Sequence, residues 1–168
     1  MPSSPIVLRL AGSQDAELIA RMHADSWAAT YRGLLPDGFL DTGLADERRV
    51  HWQSRMREAV PQAVYIAERG GEPIGFACVR DEGDPRGVLL DNLHVLGPFQ
   101  GAGAGRMLVE QAARWARARG AKQLYLYAIE GNRRAIGFYE RQGWRLAATE
   151  EDELGGLRVQ ARRYVRPV

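Results

Sequence analysis

The sequence predicts a single α/β (α+β) domain over residues 1–168, one mixed sheet of six or seven strands flanked by about four helices. Three observations carry that expectation. A strand-like run, a glycine-rich turn and an amphipathic helix follow one another directly in LLDNLHVLGPFQGAGAGRMLVEQAARWARARG, residues 89–120. Upstream, two alternating runs meet at Gly70-Gly71, the residue pair of a tight antiparallel hairpin. Downstream, a further β-rich run begins at Lys122, so strand, helix and strand form a crossover that brings parallel pairing into the sheet.

Taken in order, PIVLRL at 5–10 is rich in β-branched residues and predicts a first strand. Ser13, Asp15 and Glu17 mark a helix start, and Ala16, Ile19, Ala20, His23 and Trp27 recur at helical spacing up to about Thr30. Gly33 and Pro36 interrupt the pattern; Pro36 suits the start of a short helix reaching Leu40. A longer helix is expected from Ala45 or Asp46 to about Ala59. Its few apolar positions, Val50, Trp52 and Met56, predict that it lies on the surface.

AVYIAE (63–68) and PIGFACVR (73–80) form the hairpin, and a polar loop, DEGDPRG, leads to a third strand at 87–95. The unbroken apolar character of that strand predicts burial on both faces. In the following helix Leu108, Ala112, Trp115 and Ala116 share a side, Glu110 and Arg114 have the favourable i,i+4 order, and Gly120 ends it. A strand at 122–128 and a helix at 132–142, stopped by Gly143, come next. Two last strands, 144–149 and 157–165, are expected on either side of an acidic turn, EEDELGG.

The bulk chemistry narrows the function. Net charge is only +2, and the arginines at 114, 117 and 119 read as the solvated face of a helix, so no nucleic-acid partner is expected. No stretch approaches the roughly 20 apolar residues of a membrane span, and MPSSPIVLRL lacks the layout of a secretory leader. One cysteine, Cys78, leaves no internal disulfide and fits a reducing, cytoplasmic setting. His23, His51 and His94 are scattered without ligand spacing, so no metal is expected.

The glycine loop points to an anion. Glycine lets the backbone approach a ligand closely, and the first amides of a helix are unpaired and electropositive. The dinucleotide pattern G-x-G-x-x-G fails because Arg106 and Leu108 stand where its last glycine belongs. The P-loop fails because no Lys-Ser or Lys-Thr pair follows. What remains is Q-x-x-G-x-G at Gln100, Gly103 and Gly105.

That loop resembles the pyrophosphate loop of the GNAT superfamily of N-acetyltransferases, which use acetyl-coenzyme A. The segment NRRAIGFYERQGW, 132–144, resembles the second motif of that superfamily, an asparagine helix leading to F-Y-E-x-x-G-[FW], here Phe138, Tyr139, Glu140, Gly143 and Trp144. Leu93-His94-Val95 matches the end of the family's central strand, and the likeness covers residues 63–149. Each motif alone is loose; in this order they are specific.

The resemblance implies a GNAT fold and direct transfer of acetyl from acetyl-CoA to a primary amine, on a small molecule or a protein. It implies that the backbone of Gln100, Gly101, Ala102, Gly103, Ala104, Gly105 and Arg106 cradles the pyrophosphate. Leu93 and Val95 pair with the pantetheine arm, and the Val95 amide faces the thioester carbonyl. Asn132 binds the pantetheine region, and Tyr139 stands near the sulfur as general acid. Trp27, Tyr31 and Phe39 lie in the front helices, which in the superfamily wall the acceptor site, and could equally be core. Homodimers are common in the superfamily, and nothing in these residues specifies one.

Plainer readings stand beside these. Tyr139 could be a core aromatic, and Asn132 is a preferred helix N-cap whatever else it binds. Cys78 reads as a buried hydrophobe. For the base that takes the amine proton, the candidates are Asp91, Asn92 and His94 on the central strand and Glu130 after the next one. Some protein N-terminal acetylating relatives carry a glutamate five residues before the helix asparagine; Tyr127 occupies that place. The alternative function is a non-catalytic CoA- or acyl-CoA-binding module with a sensing or scaffolding role.

Overall fold

The computed structural model describes residues 4–154 and 156–168. The strands are β1 (Ile6–Leu10), β2 (Gln62–Arg69), β3 (Glu72–Arg80), β4 (Val88–Val95), β5 (Gln123–Ile129), β6 (Arg145–Leu154) and β7 (Leu157–Pro167). The helices are α1 (Ala16–Thr30), α2 (Asp37–Asp41), α3 (Leu44–Arg55), α4 (Ala104–Ala118) and α5 (Arg133–Arg141). One seven-stranded sheet runs in the order β1-β2-β3-β4-β5-β7-β6. Only β4 and β5 pair in parallel, around the α4 crossover.

Each face of the sheet has its own core. On one, Ile19, Ala20 and Met22 of α1 and Trp52 of α3 meet Val64, Ile66, Phe76 and Cys78. On the other, Leu108, Val109, Ala112 and Ala116 of α4 and Ile136 and Tyr139 of α5 cover Ile74, Val79, Leu90, Leu124 and Leu126. The alternation of strand side chains sends successive residues to these two cores.

Four expectations need correction. Residues Ser13–Asp15 form a 3-10 turn, and the α-helix starts at Ala16. Helix α3 ends at Arg55 and is not merely a surface element. Trp52 is fully buried while Val50 is 62% exposed, because α3 rests on α1 through one large side chain rather than a broad apolar stripe. Strand β4 is not buried throughout: from Asp91 to Val95 it is only half-buried. The acidic EEDE stretch is not a turn but part of β6, pairing from Glu150↔Ala161 to Leu154↔Leu157. Its carboxylates are tolerated because β6 is an edge strand, where charge also blocks pairing with another chain.

The departure in β4 has a topological cause. Strands β4 and β5 pair only at Val88↔Leu124 and Leu89↔Tyr125. Beyond Leu89 they diverge, and among the described residues no strand pairs with that side of β4. A bulge at Asp91, where Cys78 pairs with Asn92 and Val79 with Leu90, falls at the start of the divergence. The sheet therefore opens into a wedge at the carboxyl end of β4.

Candidate active site

The open side of β4 carries unpaired backbone groups. The Leu96 amide donates to Ile74 O at 2.9 Å and so points toward β3. Backbone groups alternate along a strand, so the amides of Leu93 and Val95 point the other way, into the wedge. The Val95 carbonyl is taken by the Gln100 side chain, whose Nε2 donates at 3.0 Å and folds the loop back on the strand end.

The glycine loop closes one end of the wedge. Gly101 and Gly103 have φ of +85° and +97°, and Gly103 is the N-cap of α4. A Cβ built at either glycine meets nothing within 4 Å. Among the described residues, no acceptor within the chain takes the amides of Gly101, Ala102, Gly103 or Ala104. Gly105 and the exposed Arg106 follow in the first turn of the helix. Open amides, left-handed glycines and the positive end of a helix dipole form an anion cradle.

Helix α5 supplies the facing wall. Asn132 caps it, Oδ1 accepting from the Ala135 amide at 3.2 Å. The Tyr31 phenol lies near the same side chain. Tyr139 is 8% exposed, against Phe138 and Trp144 at ring separations of 5.4 and 5.7 Å. Burial, and after it the neighbouring Tyr31, push the Tyr139 phenol up, so it keeps its proton at neutral pH. Burial likewise raises the Tyr31 phenol, and the Asn132 contact opposes that rise. Tyr31 at the end of α1 and Asn132 and Tyr139 of α5 are thus neighbours.

The central-strand candidates lie on the α1 and α3 side. His94 Nδ1 is 2.8 Å from Ser26 Oγ, and its ring sits 4.6 Å from that of His23. Trp52 Nε1 donates to His23 Nδ1 at 3.0 Å. Burial pushes the His94 imidazole down to about 4. Asp91 is bridged to Arg55 of α3. The Asn92 Oδ1 atom is buried without a hydrogen-bond partner.

Next to Tyr31 a cavity of about 270 Å³ opens between three segments. Tyr31 and Leu34 line it from the end of α1, Ile129 and Glu130 from the end of β5, and Leu154 and Val159 from the β6–β7 hairpin. Trp27 does not line it. That ring stands one turn back, 5.5 Å from Tyr31 and 6.3 Å from Phe39, with the Arg48 guanidinium 5.2 Å over its face.

Sequence reasoning did not find Ser26, Leu34, Leu154 or Val159. Ser26 follows His23 by three residues on the buried side of α1, which was the available signal. The cavity leucines and valine gave none, because their meeting depends on how the hairpin returns over β5.

The sequence profile of the Acetyltransferase (GNAT) family matches residues 22–144. YuaI of Bacillus subtilis, described as an uncharacterized N-acetyltransferase, is 28% identical over 159 residues, 92% of this chain and 89% of that one. The peptidyl-lysine N-acetyltransferase YjaB of Escherichia coli is 31% identical over 116 residues, 67% of this chain and 71% of that one. A GCN5-related N-acetyltransferase from Rhodopseudomonas palustris has the same fold, with a TM-score of 0.79 at 22% identity over 100% of this chain and 99% of that one. This chain therefore belongs to the GNAT acetyltransferase family, enzymes that move an acetyl group from acetyl-CoA to an amine.

Proposed function

We propose that the wedge between β4 and β5 holds acetyl-CoA and that the cavity beside Tyr31 holds the acceptor amine. The observation that carries this reading is the pair of open backbone sites: the unpaired amides of Gly101–Ala104 at one end and the wedge-facing amides of Leu93 and Val95 at the other. The loop takes the pyrophosphate, Leu93 and Val95 pair with the pantetheine arm, and Asn132 borders it.

In the reaction, the amine nitrogen attacks the thioester carbonyl carbon. The Val95 amide stabilises the oxyanion, as a fixed donor does in any acyl transfer. The C–N bond forms and the C–S bond breaks; the leaving thiolate takes its proton from Tyr139, and the proton shed by the amide nitrogen as the intermediate collapses restores the phenol. The incoming ammonium must first lose a proton. Glu130 is the carboxylate offered for it because it lines the cavity, with Arg162 on one of its oxygens; Asp91 and His94 lie outside that lining, against Arg55 and Ser26. No covalent enzyme intermediate is involved. The reading extends to one catalytic domain over residues 1–168 in a reducing, cytoplasmic setting, in keeping with the lone buried Cys78.

The test is acetyl-CoA titration by calorimetry alongside CoA-thiol release with an amine panel. Binding together with amine-dependent release supports the reading. Binding without release from any amine favours the non-catalytic CoA-binding alternative.

A further inference from the structure

The walls of the cavity restrict the acceptor more narrowly than the reaction does. Five aliphatic side chains line it, Leu34, Leu35, Ile129, Leu154 and Val159. They arrive from a loop, a strand end and a hairpin, segments that normally turn polar residues to water. Leu34 is 45% exposed, lying over Gly131, where a Cβ would stand 3.2 Å from its side chain. An apolar lining left open at a cavity mouth gains most by burying apolar surface of a ligand.

The charge of the cavity is equally selective. Glu130 is the only carboxylate among the lining residues, and Arg162 Nη2 already donates to its Oε1 at 3.2 Å. One shared carboxylate can face one ammonium. A polyamine or an aminoglycoside would bring several charges into an aliphatic wall, where each unpaired charge is strongly disfavoured. The volume, about 270 Å³, lies below the usual span of small-molecule pockets, roughly 300–1,000 Å³.

We infer that the acceptor is a small monoamine whose single ammonium is carried on an aliphatic or aromatic body. This rests on the acetyl-transfer reading of the same cleft. The body lies against Leu34, Leu154 and Val159, and the ammonium faces Glu130 and Tyr31.

The experiment is CoA-thiol release at fixed acetyl-CoA with ethylamine, butylamine, hexylamine, phenethylamine, ethanolamine, spermidine, kanamycin and a lysine-containing decapeptide. The expected result is a kcat/KM that rises about threefold per added methylene. Spermidine, kanamycin and the peptide should fall at least about tenfold below hexylamine. Leu34→Ser should flatten the alkyl series to less than about twofold per methylene while the KM for acetyl-CoA stays within about twofold. A flat series in the native chain, or a preference for spermidine, kanamycin or the peptide, overturns the inference and leaves acetyl transfer standing. Calorimetric CoA binding without thiol release from any amine overturns both.

Discussion

Gly105 and Phe138 touch across the two motifs: a Cβ on Gly105 would stand 3.1 Å from Phe138 Cζ and 3.8 Å from Val95 Cγ2. The glycine is inside α4, with no positive φ to demand it. It is required by packing, because α5 and the end of β4 close against the first turn of the helix. The glycine loop and the helix that carries Tyr139 are held together at this point.

Gly105→Ala therefore overpacks the junction, at about 1–3 kcal/mol, offset by up to about 1 kcal/mol of helix propensity. The expected net loss of about 1 kcal/mol lowers the Tm by roughly 2–4 °C. In a Phe138→Ala background the same substitution should become neutral or stabilising, which a double-mutant cycle by urea unfolding measures. Equal losses in both backgrounds would sink the contact.

Gly103→Ala separates strain from clash. Its φ of +97° disfavours a Cβ, yet nothing in the protein lies within 4 Å of one. The conformational cost is about 1–2 kcal/mol. It falls on the ligand-holding form of the loop, so the KM for acetyl-CoA should rise about tenfold with kcat changed less than about threefold. Initial-rate kinetics decide it; an unchanged KM would place the pyrophosphate elsewhere.

Tyr139→Phe removes only the proton donor. General acids contribute about 100-fold or more, so kcat should fall by at least that factor with the KM for acetyl-CoA within about threefold. Burial holds this phenol above its ordinary value of about 10, so the native enzyme should show no alkaline loss from Tyr139 below about pH 10. A Phe variant with native kcat makes Tyr139 a packing residue.

His94 and His23 set an acid limit on stability. Burial pushes His94 down to about 4 and depresses His23 as well. In the unfolded chain both titrate near 6.5. The contribution is thus complete above about pH 6.5 and declines as the pH falls toward 4, because only the unfolded chain is taking up protons. The urea midpoint should be lower at pH 5 than at pH 7.5, and His94→Gln should narrow that difference. A midpoint independent of pH over that interval would contradict neutral burial.

Much of the fold was written locally. Glycines that need positive φ, such as Gly71, Gly103 and Gly143, punctuate the chain at turn and helix boundaries. The strong apolar stripes of α4 and α5 set their buried faces. The sequence misled where tertiary contact overrode local pattern. Trp52 lies in a mostly polar helix yet is fully buried, since a single indole fills the space between α1 and the sheet. Residues 150–153 look like a solvated turn but pair as β6, because an edge strand needs only its backbone to be satisfied.

The sequence by itself determined the glycine loop, the Asn132–Trp144 segment and hence the family, because each is a short-range pattern of backbone and side-chain chemistry. Tertiary structure decided the rest of the site. It separated β4 from β5 after Leu89, which left the Leu93 and Val95 amides unpaired. It brought Tyr31 near Asn132 and placed Leu34, Glu130 and Val159 around one cavity. Those residues are distant along the chain, and only the path of the sheet and its returning hairpin brings them within contact.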